Sequence, residues 1–270
     1  MRMAIMGAGS LGTILGALLT KNGYDVDLIK RSKKDVELFN TEGAKIVGLM
    51  ELVQPVKALT PDEMTGEYDI IFYLTKTTQN ESALKPCKEH LKSDGILLCM
   101  QNGLPEDAVI EVMGKEKVAG CVTGWGATYV APGVSKLTSD PNHMTYDIGE
   151  LDGQISDRIR MLEKILNHAG HVNVHTNLMG IRWTKLTSNS MFSGMSAVVG
   201  GNFGDVLDHP KAIRCSAHIL KESVTVAKAA GVNPVPFQGD DVTKLTFATE
   251  KELGEKMPGI RKIAEHHRNI

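Results

Sequence analysis

The first residues able to do chemistry stand near the amino terminus. Gly7-Ala8-Gly9-Ser10-Leu11-Gly12 is a GxGxxG run directly after the short apolar segment 3–6 and at the start of a helical pattern. In that context Gly7 permits a tight turn, and Gly9 lets the backbone approach a pyrophosphate where a side chain would collide. Gly12 lets the helix lie close to the strand. The helix start then offers unpaired N–H groups and a partial positive charge to phosphate. All six residues, Ala8, Ser10 and Leu11 included, are therefore candidates for dinucleotide binding. A glycine-rich tight turn without ligand is the alternative. Arg31 lies 19 residues after Gly12, within Ile29-Lys30-Arg31-Ser32 at the end of the second expected strand. An NAD site would place a carboxylate there for the ribose hydroxyls. Arg31 can instead clamp a 2′-phosphate bidentately, which favours NADP. A solvated basic turn is the alternative reading of Lys30 and Arg31.

These residues need a scaffold, and the hydropathy pattern supplies one. Residues 3–6 read as a buried strand. Residues 11–21 read as a helix with Leu11, Ile14, Leu15, Leu18 and Leu19 on one face, closed by Asn22-Gly23. Strands are expected at 24–29, 68–74, 95–100 and 117–122, with helices at 33–40 and 79–91. This alternation implies a parallel sheet with crossover helices. Residues 124–150, rich in Gly, Thr, Pro and Ser, read as antiparallel edge strands. A helix at 156–169 and a last strand at 172–175 follow. Beyond Thr176 the pattern is helical, at 181–199, 212–230 and 243–251. The expected architecture is α/β: a Rossmann-type doubly wound sheet over 1–175, then an all-helical domain over 176–270. A substrate is expected in the cleft between the two.

Composition excludes several classes. The chain has 270 residues and a net charge of -2, so no strong field recruits nucleic acid or an anionic membrane. Arg2 and the apolar stretch to Leu19 resemble a signal peptide, but Gly7, Gly9, Gly12 and Gly16 interrupt it. No run of about 18 strongly apolar residues exists, so no membrane span is expected. Cys87, Cys99, Cys121 and Cys215 form no CxxC pair and read as reduced, buried thiols of a cytoplasmic protein. His168, His171 and His175, and the pair His266-His267, lack carboxylates or cysteines in a metal-binding order, so no metal is expected. Nothing in the pattern excludes a homodimer built through the helical half.

Four further segments stand out. They are Leu74-Thr75-Lys76-Thr77-Thr78-Gln79, Gln101-Asn102-Gly103, Thr123-Gly124-Trp125-Gly126-Ala127-Thr128 followed by Pro132-Gly133, and Trp183-Thr184-Lys185-Leu186-Thr187-Ser188-Asn189. With the glycine turn, they make the chain resemble the ketopantoate reductase family from end to end. The resemblance implies that Lys76 and Gln79 contact the cofactor beside its adenosine phosphate. It implies that Asn102 sits between nicotinamide and substrate, that Lys185 is the proton donor, and that Asn189 binds substrate. Family members often carry Asn at the place of Ser193, whose hydroxyl can still hydrogen-bond over a shorter reach. Some of this has independent support. Asn102 ends a strand, where ligands of open sheets bind, although Asn-Gly also makes purely conformational turns. Lys185 and Asn189 are spaced i, i+4 on one helical face, which Ser193 extends. Taken alone, Lys76 and Lys185 would read as solvated surface lysines.

The implied activity is NADPH-dependent reduction of 2-dehydropantoate (ketopantoate) to pantoate, in pantothenate and coenzyme A biosynthesis. Lys185 would stabilise the charge growing on the ketone oxygen and deliver its proton. Two alternatives remain: a relative reducing another small 2-oxo acid, and an NADP-binding sensor without catalysis. The family continues beyond this carboxyl terminus with a Ser-containing and a Thr-Glu-Ile-Asp-like segment that touch substrate. This chain stops at Arg268-Asn269-Ile270, so a truncated substrate domain is expected.

Overall fold

The amino-terminal half alternates strand and helix as its hydropathy dictates, in a computed structural model that describes residues 1–237, 239–265 and 268. In chain order the elements are β1 (Arg2–Met6), α1 (Ser10–Lys21), β2 (Asp25–Ile29), α2 (Lys33–Glu42), β3 (Ala44–Gly48), β4 (Leu52–Gln54), β5 (Lys57–Leu59) and β6 (Tyr68–Tyr73). Then come α3 (Asn80–His90), β7 (Leu91–Cys99), α4 (Glu106–Met113), β8 (Val118–Thr123), β9 (Ala127–Ala131), β10 (Val134–Leu137), β11 (Thr145–Gly149), α5 (Asp157–Leu166) and β12 (His171–Val174). Two units separate by their internal contacts: Met1–Gln101 with Pro105–Leu178, and Asn102–Leu104 with Met179–Ile270.

In the first unit, β12-β11-β8-β7-β6-β1-β2-β5 form one sheet. Its pairs are parallel except β8 with β11. The strand order reverses at β1, with β2 on one side and β6 on the other, so a crevice opens beyond the carboxyl ends of β1 and β6. Helices cover both faces. Leu15 and Leu19 of α1 and Ile159 and Leu162 of α5 pack with Ile5, Leu28 and Leu98. Leu84 of α3 and Val109 of α4 pack with Ile71, Tyr73 and Leu97 on the other face. This is the doubly wound sheet the alternation implied.

The segment 124–150 does not stay together at one edge. Antiparallel β9 and β10 leave for a small second sheet, ordered β4-β3-β10-β9, in which β10 pairs in parallel with β3. Only β11 joins the large sheet, antiparallel to β8. The short strands β3, β4 and β5 have no counterpart in the sequence reading.

The opposite end of the large sheet is locked by a buried charge. Asp27 of β2 is fully buried, with Arg2 at 2.6 Å, Lys57 at 2.8 Å and the Tyr68 hydroxyl donating to it at 2.8 Å. These groups come from β1, β5 and β6, so one carboxylate ties four strands. Burial alone would raise its pKa, but hydrogen bonds from Lys57, Tyr68 and Arg2 hold it below the usual carboxylate range.

The second unit is helical among its described residues. It comprises α6 (Leu178–Ser188), a π-helical turn (Asn189–Gly194), α7 (Met195–Val199), α8 (Phe203–Asp208), α9 (Pro210–Ala229) and α10 (Glu250–Glu265). The helix expected over 181–199 is thus interrupted by a π turn. The helix expected at 243–251 is absent. Val242–Leu245 makes one 3-10 turn, and α10 starts only at Glu250. A new helix start forms there instead: the Ala248 N–H donates to Glu252 and the Glu252 N–H to the Thr249 hydroxyl. Met191, Phe192, Val206, Ile213, Leu220 and Ile260 form the core of this unit. Cys87, Cys99 and Cys121 are buried, but Cys215 on α9 is exposed, which corrects the expectation for that thiol. No helix among the described residues is long and apolar enough to cross a membrane.

Asp27→Asn should cost about 3–5 kcal/mol by stranding Arg2 and Lys57 beside a neutral amide. Because the folded pKa of Asp27 lies below its unfolded value, its contribution is full above roughly pH 5 and fades as the pH falls through the folded pKa. Urea unfolding of both proteins across pH 3–7 checks this. The stability gap should be constant above about pH 5 and narrow below about pH 4.

Candidate functional site

The glycine turn sits where β1 enters α1. The Gly7 and Ala8 N–H groups donate to the Ile29 carbonyl at 3.1 and 3.0 Å, which ties the turn to the end of β2. Each glycine has its own reason. Gly7 has φ +98°, and a β-carbon there would stand 2.8 Å from the Thr75 nitrogen. A β-carbon on Gly12 would stand 2.5 Å from the Gly7 carbonyl oxygen, and one on Gly16 2.7 Å from Leu28. Those two positions let α1 press on the sheet. Gly9 differs: its φ is -82°, and a β-carbon would meet only the Gly7 oxygen, at 4.0 Å. Neither backbone strain nor packing within the protein requires glycine at that position.

Helix α1 also begins without the usual partners. Its N-cap Gly9 offers no side chain, and its first turn holds no acidic residue. Helices α2, α5 and α8 are capped by Ser32, Ser156 and Asn202. The first N–H groups of α1 thus lack the side-chain acceptors found at the starts of α2, α5 and α8.

A cavity of about 700 Å³ opens at this point. Gly7, Gly9, Ser10, Leu11, Gly12, Arg31, Lys76 and Gln79 all line it. Ala8 does not; its side chain is buried in the core. The two adjacent cations divide. Lys30 lies 3.9 Å from Asp35 and 5.4 Å from the centre of the Tyr129 ring. Arg31 is exposed and has no ion-pair partner among the described residues. Lys76 precedes a 3-10 turn, Thr77–Gln79, closed by the Gln79 N–H on the Lys76 carbonyl at 2.8 Å. The Gln79 Oε1 atom is buried beside the cavity and has no hydrogen-bond partner among the described residues. An open place at Gly9, an uncapped helix start, an uncommitted guanidinium and an orphaned amide oxygen together fit a phosphorylated dinucleotide.

Gln101, which entered the sequence reading only as part of Gln101-Asn102-Gly103, has a positioning role that reading did not assign. Gln101 is buried at the end of β7, and its Nε2 donates to the Thr75 carbonyl at 2.9 Å and to Asn80 Oδ1 at 2.8 Å. The Tyr73 hydroxyl donates to the same Asn80 oxygen at 2.9 Å. These bonds fasten the turn bearing Lys76 and Gln79 to the neighbouring strand end. The only available signal was a polar residue closing an apolar strand.

The remaining candidates lie in the second unit. Asn102 is exposed, precedes Gly103 at φ +87°, and does not line the cavity. Lys185 is half-buried on α6, while Asn189 and Ser193 stand in the π turn. That turn is anchored by buried Met191 and Phe192, and the Ser216 hydroxyl donates to the Met191 carbonyl at 2.6 Å. The wider turn changes the angle between Asn189 and Ser193 from that of a regular helix. The three histidines do not converge. His175 pairs with Asp147 at 2.7 Å, whereas His168 sits edge-on to Tyr24. His266 and His267 lie outside the described residues.

Comparison with known proteins adds a family. The family described as ketopantoate reductase PanE/ApbA matches residues 3–153, and its C-terminal counterpart matches 177–260. A relative in Pyrococcus abyssi (strain GE5 / Orsay), named 2-dehydropantoate 2-reductase, is 30% identical over 236 residues, covering 86% of this chain and 75% of its own. The relative of the same name in Pyrococcus horikoshii is 28% identical, with the same coverage of each chain. A solved 2-dehydropantoate 2-reductase from Geobacter metallireducens GS-15 superposes with a TM-score of 0.78 at 25% identity, over 98% of this chain and 84% of that one. D-mandelate dehydrogenase, solved with NADH and anilino(oxo)acetate, shares the fold at a TM-score of 0.82 and 21% identity, over 97% and 79%.

Two substitutions separate a ligand-driven glycine from a packing-driven one. Gly9→Ser supplies a helix cap, so stability should hold or rise by roughly a few tenths of a kcal/mol, while dinucleotide binding is lost. Gly12→Ala should instead cost about 1–3 kcal/mol through overlap with the Gly7 backbone. Urea melts and a calorimetric NADPH titration of each variant check the pair. A strongly destabilised Gly9→Ser protein would contradict the assignment.

Proposed function

The chain belongs to the ketopantoate reductase family, and from that premise we propose that it reduces ketopantoate to pantoate with NADPH. One observation carries the reading: a single cavity is lined by Gly9, with open space at its β-carbon, and by Arg31, Lys76 and Gln79. In this reading residues 1–175 hold the cofactor and residues 176–270 serve the substrate. The substrate comes from the name shared by the relatives in two Pyrococcus species.

Arg31 supports NADPH over NADH, because an uncommitted guanidinium suits a 2′-phosphate. Lys76 supplies a cation beside the adenosine phosphate, and the buried Gln79 Oε1 can accept from a hydroxyl or amino group of the nucleotide. The start of α1 receives the pyrophosphate. When bound, NADPH supplies the hydride that reduces the keto carbon. As negative charge grows on the ketone oxygen, the Lys185 ammonium stabilises it and hands over the proton. Asn102, Asn189 and Ser193 give neutral hydrogen bonds that orient the substrate without altering the charge balance. Asn102 also borders the nicotinamide.

Loss of nicotinamide absorbance on adding ketopantoate to enzyme and NADPH is the direct test. Oxidation only with other 2-oxo acids would move the substrate assignment, and tight NADPH binding without oxidation would remove the catalytic reading. Lys185→Ala should lower turnover by about 10²–10⁴-fold while leaving the NADPH dissociation constant nearly unchanged. Arg31→Ala should weaken NADPH by roughly ten- to hundredfold and NADH by far less. Equal losses for both cofactors would contradict a 2′-phosphate contact.

A further inference from the structure

The cavity has a wall that no sequence motif announced. Tyr129 lies on β9, the edge strand of the small sheet, opposite Ser135 of β10, and Ala127 lies opposite Leu137. Ser135 and Leu137 are buried, at 2% and 0% exposure. Directly opposed residues of an antiparallel pair share a face. Ala127 and Tyr129 therefore stand on the inner face of the small sheet, and both line the cavity. Thr128, opposite exposed Lys136, stands on the outer face.

Lys30, Arg31 and Ser32 from the end of β2, and Pro61, also line the cavity. The Lys30 ammonium lies over the Tyr129 ring, 5.4 Å from its centre, and 3.9 Å from the Asp35 carboxylate. One cation thus links the base of α2 to the small-sheet hairpin. The aromatic ring thus sits beside Lys30, the chain neighbour of Arg31, and lines the same cavity as Arg31. The Tyr129 residue is 46% exposed, so a purine base has apolar area there to bury.

We propose that Tyr129 is the adenosine-side wall of the dinucleotide cavity, packing against the base, while Lys30 braces its ring and leaves the 2′-phosphate to Arg31. The inference rests on the dinucleotide reading above. It assigns a second, separable selectivity. Arg31 distinguishes NADPH from NADH, whereas Tyr129 holds any nucleotide that carries adenosine.

Calorimetric titration of the full chain with NADPH, NADH and adenosine 2′,5′-bisphosphate tests it. Tyr129→Ala should raise all three dissociation constants by about tenfold and by similar factors. Tyr129→Phe should bind as wild type, and Thr128→Ala, on the outer face of the same strand, should change nothing. Wild-type affinity in Tyr129→Ala would overturn the proposal and leave the cofactor reading intact. So would an equal loss in Thr128→Ala, which would mark a hairpin effect, or a loss for NADPH and adenosine 2′,5′-bisphosphate that spares NADH, which would mark a phosphate effect. A wild-type protein that binds none of the three ligands would overturn both readings together.

Discussion

Helix α1 lies so close to β1 and β2 that its axis leaves no room for a β-carbon at Gly12 or Gly16. That approach decides what the rest of the first unit can do. It brings the start of the helix level with the strand ends, where the Gly7 and Ala8 amides are already spent on Ile29. The next amides point onward, with no capping side chain and no acidic residue in the first turn. A helix start in that state leaves backbone N–H groups in need of an acceptor, which the pyrophosphate of the proposed cofactor would supply.

The two ends of the large sheet are treated in opposite ways. At the end where β1, β2, β5 and β6 meet Asp27, the buried charge has partners at 2.6 to 2.8 Å, all within the protein. At the other end, among the described residues, Arg31 has no ion pair and the Gln79 Oε1 atom no donor. Between them, Gln101 holds the β6 and β7 ends in register through Thr75 and Asn80. Internal satisfaction at one end fixes the strands. Incomplete satisfaction at the other gives a ligand free energy to gain.

Much of this was legible in the sequence where the cause was local. The β1–α1–β2 unit depends on neighbours in the chain, so glycine spacing and the Leu15 and Leu19 stripe sufficed. The small sheet was not legible, because β3 pairs with β10, some ninety residues away, and short apolar runs do not name their partners. The wall at Tyr129 was hidden for the same reason. In the second unit the π turn at Asn189–Gly194 carries the same residues a regular helix could, and no local signal marks the extra backbone width. The missing helix at 243–251 shows competition instead. Thr249 and Glu252 build a helix start that captures the residues after it, leaving only a 3-10 turn before. The roles of Lys185, Asn189 and Asn102 came from family resemblance, because a lysine or asparagine on a helix or turn carries no chemistry by spacing alone.

The uncapped start of α1 is proposed as the place of the pyrophosphate. A crystal structure of the complex with NADPH addresses it most directly. The pyrophosphate oxygens should lie about 3 Å from backbone nitrogens of the first turn of α1, against Gly9, with the 2′-phosphate at the Arg31 guanidinium. A well-ordered nucleotide whose phosphates lie elsewhere, with the Gly9 face empty, would contradict it.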